Sequence, residues 1–458
     1  MKTYDIIICG GGISGAMAGI SAARAGCKVL VADKYGYLGG MLTAGGVGPM
    51  MTFHAGNKQI VRGITGELIA RLAARGKSPG HIFDTTGYTY TVTPFDAEAM
   101  KHELETMLLE ACGEVLYHAM LEKAEAENGI LREVTFTVKG GSVTVGAKVF
   151  IDATGDAELS VMSGVGYTKG FNNDGICQPL TMNLKMGNVD IPRVREFIKS
   201  HVEEFPRIEN DLHIVDRAPR LSIGGFTKIL EKAIKTGELD FDKDDVLFFE
   251  TNNPGEVIVN TSRMKDFDPT DPWSLSMAEV EGRKQALMLE KFLIRRVPGF
   301  ERSYLIYSGP GQVGVRSSRQ IKGVYTLTHI DLITGRKFPD TVAYGGYPID
   351  VHEPKGGFSK EYLELSHEDK HMKWGHIYSI PYRCLINNTV ENLITVGRCI
   401  SAEFLAQSAV RVSPIAGSIG HAGGAAAAAA VKNNTTPLKT DVSFIKRLLH
   451  EQGAYIED

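Results

Sequence analysis

Three glycines close to the amino terminus have the spacing of a phosphate-binding turn. Gly10, Gly12 and Gly15 satisfy the pattern G-x-G-x-x-G, directly after a short apolar run. In this pattern the first glycine permits a tight turn, the second lets the backbone approach a pyrophosphate, and the third allows a strand and a helix to pack closely. The pyrophosphate would lie at the positive end of that helix, on backbone N–H groups that lack a partner.

An acidic residue follows at the distance that a dinucleotide site requires. Asp33 ends the second apolar run, 21 residues after Gly12, where a carboxylate accepts hydrogen bonds from ribose hydroxyls. The glycines alone would also suit an ordinary strand–turn–helix junction, but together with the acid they predict dinucleotide binding. The residues predicted to bind the cofactor here are Gly10, Gly12, Ile13, Ser14, Gly15, Asp33 and Lys34.

A second glycine-rich stretch favours FAD over NAD. Residues 38–43 read Leu-Gly-Gly-Met-Leu-Thr, and Gly45, Gly46 and Gly48 follow. An NAD-binding domain would continue with its next strand–helix unit. Backbone without side chains instead suits a longer ligand, such as a ribityl chain and a flavin ring, with a long surface loop as the alternative. The predicted contacts are Gly39, Gly40, Met41, Leu42 and Thr43.

The elements that must position these residues are those of a Rossmann-like unit. Residues 4–9 and 28–33 predict buried parallel strands, and residues 14–25 predict a helix rich in small side chains. Further helices are predicted at residues 65–75 and 96–112.

A β-meander is predicted in the next part of the chain. Residues 115–126, 130–138 and 142–145 alternate in polarity, and Asn128-Gly129 and Gly140-Gly141 suit the tight hairpin turns between them. Another buried strand is predicted at residues 148–153.

The middle of the chain differs in style from both ends. After about residue 172 it mixes strands with amphipathic helices, whereas a buried strand at 392–396 and an Ala/Gly-rich helix at 415–432 return to the first style. The fold class predicted is α/β, a Rossmann-like FAD-binding domain with a β-meander plus an inserted mixed α+β substrate domain. The FAD-binding domain would comprise residues 1–171 and 389–458, and the substrate domain residues 172–388.

Composition excludes several classes of protein. The chain has 458 residues, 51 of them glycine, and a balanced net charge of −4, so it lacks the basic face that nucleic-acid binding requires. We find no apolar run near the roughly 20 residues that span a bilayer. The six cysteines include no Cys-x-x-Cys and are typical of reduced thiols, which predicts a cytoplasmic protein. The sequence is also compatible with a homo-oligomer.

These motifs carry a resemblance to a known family. The chain resembles FAD-dependent oxidoreductases of the glutathione-reductase-like flavoprotein fold, which are distantly related to fumarate reductase flavoproteins. Relatives that bind FAD covalently use a histidine early in the chain, and residues 38–49 contain none, so noncovalent FAD is expected. The stretches that carry the likeness are Gly10–Gly15 with Asp33, 38–43, 150–156, 314–323 with 344–352, and 380–383 with 392–424.

The resemblance implies further contacts with FAD. Arg398 would lie beside ribityl or phosphate oxygens, and the helix after Arg411 would direct its N-terminus at the pyrimidine edge of the flavin, where negative charge grows on reduction. A buried core helix is compatible with that role. The residues implied are Ala153, Thr154, Gly155, Asp156, Gly397, Arg398, Arg411, Pro414 and Ile415.

Two tight polar groups and one pair are candidates for the chemistry. Arg316 and Arg319 could clamp a carboxylate, although arginines near a turn often form ion pairs instead. His352 is an acid/base candidate, because imidazole titrates near neutral pH. Tyr382 and Arg383, just before the second FAD motif, are expected near the flavin ring.

The sequence thus predicts an FAD-dependent oxidoreductase that moves a hydride between a small organic substrate and FAD. An electron-transfer flavoprotein subunit without turnover of its own is the alternative. His367, Glu368 and His371 match the zinc-hydrolase pattern H-E-x-x-H, but their charged neighbours indicate a solvated face, and no metal is predicted. Substrate, direction and electron partner stay undetermined.

Overall fold

A computed structural model of the chain describes residues 2–208 and 211–457. The strands are β1 (Lys2–Cys9), β2 (Val29–Ala32), β3 (His54–Ala55), β4 (Lys58–Gln59), β5 (Ile82–Phe83), β6 (Thr91–Val92), β7 (Glu114–Leu116), β8 (Met120–Glu127), β9 (Ile130–Val138), β10 (Gly141–Asp152), β11 (Tyr167–Lys169), β12 (Leu184–Gly187), β13 (Ser222–Gly225), β14 (Val246–Glu250), β15 (Val257–Val259), β16 (Tyr304–Ser308), β17 (Arg319–Ile321), β18 (Thr341–Gly345), β19 (Tyr378–Pro381) and β20 (Leu393–Thr395). The α-helices are α1 (Ile13–Arg24), α2 (Gly63–Ala74), α3 (Ala97–Glu110), α4 (Glu158–Met162), α5 (Ile191–Ser200), α6 (Thr227–Lys235), α7 (Pro272–Arg296), α8 (His329–Ile333), α9 (Lys360–Glu364), α10 (His367–His371), α11 (Phe404–Val410), α12 (Ser413–Lys432) and α13 (Val442–Glu451).

The main sheet has the topology of a nucleotide-binding domain. Strands β7, β2, β1, β10 and β20 lie parallel and adjacent in that order. Strand β9 pairs antiparallel with β10, and β8 pairs antiparallel with β9. Strand β1 is buried on both faces, since Ile6 and Ile8 pack in one apolar cluster while Ile7 and Cys9 pack in another. This is why its sequence is a continuous apolar run. The predicted α/β fold class is confirmed.

The meander differs from its predicted form in two places. Residues 115–126 are not one strand, because the chain turns at His118, whose φ is +53°, so that β7 pairs with β2 and β8 pairs with β9. The predicted strands at 142–145 and 148–153 are a single strand, β10. It pairs antiparallel with β9 at its start and parallel with β1 from Val145 onward, since Gly146 and Ala147 are compatible with an extended backbone.

Helix α12 packs directly against the backbone of α1. A Cβ atom added to Gly420 would lie 2.1 Å from the carbonyl oxygen of Ser14, and one added to Gly424 would lie 2.2 Å from that of Ala18. Only glycine permits so close an approach. Helix α12 therefore packs in the same layer as α1 and begins beside the glycine turn between β1 and α1.

A second core lies in the middle of the chain. The antiparallel sheet β13-β14-β15-β12-β16 packs with helices α5, α6 and α7, and its buried residues extend from Leu180 to Val315. Residues from Leu327 to Ile386, which fall inside the predicted substrate domain of 172–388, pack in the first core instead. Packing thus favours a shorter insert, and the domain division stays a prediction.

Helices α7 and α12 are long enough to approach the thickness of a bilayer. Within residues 2–208 and 211–457, even α7 and α12, with 25 and 20 residues, do not meet the combination of length and apolarity that a membrane crossing needs.

Candidate functional site

One cavity runs from the glycine turn of β1 to the polar residues of the middle region. Its walls come from the carboxyl ends of parallel strands, where ligands of open α/β sheets bind. The predicted cofactor residues that line it are Gly10, Gly12, Ile13, Ser14, Asp33, Lys34, Gly40, Met41, Ala153, Thr154, Gly155, Asp156, Gly397, Arg398 and Arg411. The predicted residues outside its lining, Gly15, Gly39, Leu42, Thr43, Pro414 and Ile415, lie immediately behind in the chain elements that shape it.

The three glycines of the turn have different surroundings. A Cβ on Gly10 would lie 2.4 Å from the carbonyl oxygen of Ala153, and one on Gly15 would lie 1.8 Å from that of Gly10, so both are needed for packing. A Cβ on Gly12 would meet no protein atom closer than 3.9 Å. Gly12 thus borders open space at the N-terminus of α1, which no side chain caps. The space at this position would admit a ligand where another residue would have a side chain.

Asp33 is buried at the edge of the cavity and organises its backbone. Its carboxylate accepts hydrogen bonds from the N–H groups of Gly11 and Tyr35. Burial raises the pKa of Asp33, against the effect of those two backbone donors. Its oxygens keep lone pairs with which ribose hydroxyls can interact.

The second glycine stretch packs on the first. The N–H group of Gly39 donates to the carbonyl of Gly11, and a Cβ on Gly40 would lie 2.8 Å from the Cα of Gly12. Leu42 is buried in the core, and the hydroxyl of Thr43 donates to the carbonyl of Leu38. Gly40 and Met41 therefore face the cavity, while Gly39, Leu42 and Thr43 support them.

Asp152, which the sequence analysis did not single out, holds the turn after β10. Its buried carboxylate accepts hydrogen bonds from the backbone and the hydroxyl of both Thr154 and Ser160. This network fixes Thr154, Gly155 and Asp156 at the cavity wall. An acidic residue directly after the apolar run at 149–151 is the sequence signal that could have identified Asp152.

Arg398 and Asp156 form an ion pair across the cavity wall. The guanidinium Nη2 lies 2.9 Å from the carboxylate Oδ1, and the Nε atom of Arg398 is buried without a hydrogen-bond partner. Arg411 likewise has a buried Nε atom without a partner. It precedes the N-terminus of α12, where Val412, Ser413 and Ala416 line the cavity and no side chain caps the helix.

The far end of the cavity contains a cluster centred on Asp350. The Asp350 carboxylate lies 3.3 Å from Nε2 of His352 and 3.0 Å from Nη2 of Arg411, and it accepts hydrogen bonds from the hydroxyls of Tyr88 and Tyr347. Sequence reasoning did not single out Asp350, Tyr88 or Tyr347. Asp350 could have been found, since it stands two residues before His352.

Arg316 lines the cavity beside this cluster. Its Nη1 atom donates hydrogen bonds to the carbonyl of Pro179 and the hydroxyl of Thr181, which fix the direction of the side chain.

The electrostatics of the cluster set the charge of each member. Burial would raise the pKa of Asp350, but its contact with His352 and the charges of Arg411 and Arg316 lower it well below its usual range, so the carboxylate is ionised. Burial and the charge of Arg316 lower the pKa of His352 to about 3, so the imidazole is neutral at pH 7. Because a carboxylate only accepts, a hydrogen on Nε2 would be directed at Asp350, and Nδ1 would then be left as an acceptor.

Comparison with known proteins identifies the family. A family model described as FAD dependent oxidoreductase matches residues 5–449. The chain belongs to this family. Its cofactor is FAD, and the predicted family resemblance is confirmed.

Individual relatives are distant from this oxidoreductase. The tRNA uridine 5-carboxymethylaminomethyl modification enzymes MnmG of Bacillus cereus and Bacillus mycoides are 27% and 26% identical to it over 206 residues, which is 42% of this chain. The match spans only 31% of the length of those enzymes.

The solved structures to which the chain is similar are also remote in sequence. A geranylgeranyl bacteriochlorophyll reductase-like protein from Thermoplasma acidophilum is 14% identical, with a TM-score of 0.47, over 99% of this chain and 85% of that one. The flavin-dependent brominase Bmp2 is 13% identical, with a TM-score of 0.48, over 98% and 84%.

The residues of the oxidoreductase's cavity fit FAD. The open space at Gly12, the uncapped N-termini of α1 and α12, and the unpartnered Nε atoms of Arg398 and Arg411 all present donors or positive potential. A diphosphate and a flavin ring are the kinds of group that such donors bind.

Three residues predicted to act in the chemistry do not line the cavity. Arg319 stacks over Tyr167, and Arg383 pairs with Asp340 and stacks over Tyr325. The hydroxyl of Tyr382 donates to the carbonyl of Pro437. Tyr382 and Arg383 precede the second FAD motif in sequence, but β19 continues into a short helical turn in which their side chains make these other contacts.

The H-E-x-x-H pattern forms the short helix α10. The rings of His367 and His371 stack with centroids 4.0 Å apart, and Glu368 pairs with Lys373. In residues 2–208 and 211–457 no group of three His, Cys, Asp or Glu side chains is arranged to hold a metal ion.

Proposed function

We propose that this oxidoreductase oxidises a small organic substrate by hydride transfer to noncovalently bound FAD, with His352 as the base. The observation that carries the proposal is the continuity of one cavity, which joins the glycine turn at Gly12 to the Asp350–His352 pair. Cofactor and substrate would therefore meet inside a single cavity.

The nucleotide end of the cavity would bind and orient the cofactor. Backbone N–H groups at the start of α1 would hold the diphosphate, Asp33 would accept the ribose hydroxyls, and Arg398 would be held by Asp156 beside the cofactor. When bound, FAD supplies the capacity to accept a hydride from the substrate. The uncapped N-terminus of α12 would stabilise negative charge next to it.

The other end of the cavity would manage the proton. His352 is neutral at pH 7 because burial lowers its pKa, so it is ready to accept a proton at Nδ1 and not to donate one. The Asp350 carboxylate, 3.3 Å from Nε2, would orient the ring, and its ionised form would stabilise the imidazolium that forms. A neutral imidazole is the form that can take up the proton of the substrate as the hydride leaves.

An anaerobic screen tests the proposal. The purified protein should carry FAD that is released by denaturation, and mixing with a library of small organic metabolites should bleach the flavin with at least one of them. His352→Gln should slow that bleaching by about 10²- to 10⁴-fold, the usual contribution of a general base. His213→Gln, at a side chain that is 90% exposed, is the matched control and should not slow it.

Two results would contradict the proposal. Protein that stays colourless after incubation with FAD would exclude the cofactor site. Flavin that no substrate bleaches, but that exchanges electrons with a protein partner, would instead favour an electron-transfer subunit.

A further inference from the structure

The far end of the cavity carries more positive than negative charge. Arg316 and Arg411 are both guanidinium ions there, whereas Asp350 is the carboxylate between them, and His352 is neutral. Two positive charges thus face one negative charge. Burial and the charge of Arg411 lower the pKa of Arg316 to about 9, which reflects this excess but leaves the side chain charged at pH 7.

The neighbouring ion pairs sum to no net charge. Lys265 lies 2.7 Å from both Asp242 and Glu353, whereas Lys243 and Arg207 share the carboxylate of Asp245. The pairs Arg398–Asp156 and Arg263–Asp244 are each balanced. Asp84, which lies near Tyr347, is fully buried, and burial raises the pKa of its carboxyl and so favours the neutral form.

Hydrogen bonds within the protein fix the directions of the arginine side chains at this end of the cavity. Hydrogen bonds to Pro179 and Thr181 hold one terminal nitrogen of Arg316, and its other terminal nitrogen donates to Oδ1 of Asn260 at 3.4 Å. Asp350 holds one terminal nitrogen of Arg411. The Nε atom of Arg411 is buried without a hydrogen-bond partner. A planar guanidinium with free donors matches the geometry of a carboxylate.

We propose that the substrate is an organic monocarboxylate whose carboxylate binds between Arg316 and Arg411 and whose uncharged body lies along Phe249 and Val315. This inference rests on the proposed function, since it names the substrate of the same cavity. Phe249 and Val315 line the cavity and provide its apolar surface there. One excess positive charge is neutralised by one carboxylate, whereas a dicarboxylate or a phosphate would leave negative charge unbalanced in a buried site.

Binding of model anions tests the inference without turnover. The FAD-loaded, oxidised enzyme in chloride-free buffer is titrated with benzoate, with its neutral counterpart benzamide, with succinate and with inorganic phosphate. Binding is followed by calorimetry and by the change in flavin absorbance. Benzoate should bind at least tenfold more tightly than each of the other three probes.

Variants locate the binding site. Arg316→Gln should weaken benzoate binding at least tenfold and leave benzamide unaffected. Arg336→Gln removes an arginine that pairs with Asp331, lies outside the cavity and serves as the matched control with unchanged benzoate binding. FAD content is measured for each variant. If Arg316→Gln does not fold, Arg411→Gln is tested for the same loss.

The outcomes separate this inference from the proposed function. Equal binding of benzoate and benzamide, tighter binding of phosphate or succinate, or unchanged benzoate binding in the arginine variants would overturn the monocarboxylate site. If benzoate binds as expected but no carboxylate bleaches the flavin, the anion site would be supported and the proposed hydride transfer to FAD would be contradicted.

Discussion

The guanidinium of Arg398 lies 2.9 Å from the carboxylate of Asp156, a residue 242 positions earlier in the chain. Gly155 lies directly beneath this pair, where an added Cβ would be 2.6 Å from Nη1 of Arg398. The ion pair is therefore formed by the protein itself, so the arginine is held in place before a cofactor binds. Preorganisation of this kind reduces the ordering that binding must accomplish.

Replacing the glycine beneath the pair should displace the arginine. Gly155→Ala is strained, because φ at Gly155 is +84°, and it also pushes on the guanidinium, so FAD should be lost more readily. Gly164 has nearly the same φ, +88°, but no atom within 4 Å of its added Cβ. Gly164→Ala thus carries the strain of about 1–3 kcal/mol alone. Equal FAD affinity in the two variants would contradict the role of Arg398.

The glycines of the first turn should separate folding from cofactor binding. A methyl group at Gly12 meets open space, so Gly12→Ala should change the free energy of unfolding of the FAD-free protein by less than about 0.5 kcal/mol. The same methyl group occupies the space of the ligand, so FAD affinity should fall at least tenfold.

Gly15→Ala should show the opposite pattern. Its Cβ would lie 1.8 Å from the carbonyl oxygen of Gly10, so the FAD-free protein should lose about 1–3 kcal/mol or more of unfolding free energy. Urea unfolding of both FAD-free variants, together with fluorescence titration of FAD, makes the comparison. Similar effects of the two substitutions on folding would mean that Gly12 is a packing residue and not a ligand contact.

Much of the fold was readable from local patterns. The apolar run of β1, the glycine turn and the small residues of α1 predicted the nucleotide unit, because strands buried on both faces and close helix packing leave a direct mark on composition. The single strand β10 was not predicted. Whether it continues through Gly146 depends on pairing with β9 and β1 on its two sides, which is a tertiary property.

The candidate site was only partly readable for the same reason. Glycine spacing is a local signal, so it predicted the turn around Gly12 that borders the cavity. The cluster around Asp350 forms only on folding, which brings Arg411 and Tyr88 to its carboxylate, and Tyr88 is 262 positions away. Arg383 pairs with Asp340, 43 positions earlier, across β18 and β19, a contact that the local sequence does not indicate.

Asp33 should act on the cofactor and on its own loop to different extents. Asp33→Asn keeps one oxygen as an acceptor for a backbone N–H, but it introduces an NH2 group where Gly11 or Tyr35 donates. We expect FAD affinity to fall by about 1–3 kcal/mol, the cost of leaving a buried hydrogen-bonding group unpaired. Equilibrium dialysis measures the loss, and Asp5→Asn, at a partly exposed residue outside the cavity, is the control. Unchanged affinity would mean that Asp33 serves the loop alone.

The lowered pKa of His352 should make the folded protein less stable as the pH falls. Its pKa is about 3 in the folded protein and 6.5 when unperturbed, so between these values the unfolded chain binds more protons. The free energy of unfolding therefore falls as pH falls from about 6.5 towards 3. In His352→Gln this contribution is absent.

The difference in unfolding free energy between wild type and His352→Gln isolates that contribution, because the other titrating groups largely cancel. It should shift by about 1–3 kcal/mol between pH 7 and pH 4.5, with the wild type losing more stability, since each pKa unit corresponds to about 1.4 kcal/mol and the side chain is partly exposed. Urea unfolding at the two pH values measures it. Since His352 stays neutral above about pH 4, flavin reduction by a substrate should not weaken through this group between pH 5 and pH 8. A constant stability difference would contradict the lowered pKa of His352. Flavin reduction that declines as pH falls through about 6.5 in the wild type, and not in His352→Gln, would show that the imidazole titrates at its ordinary value in the folded protein.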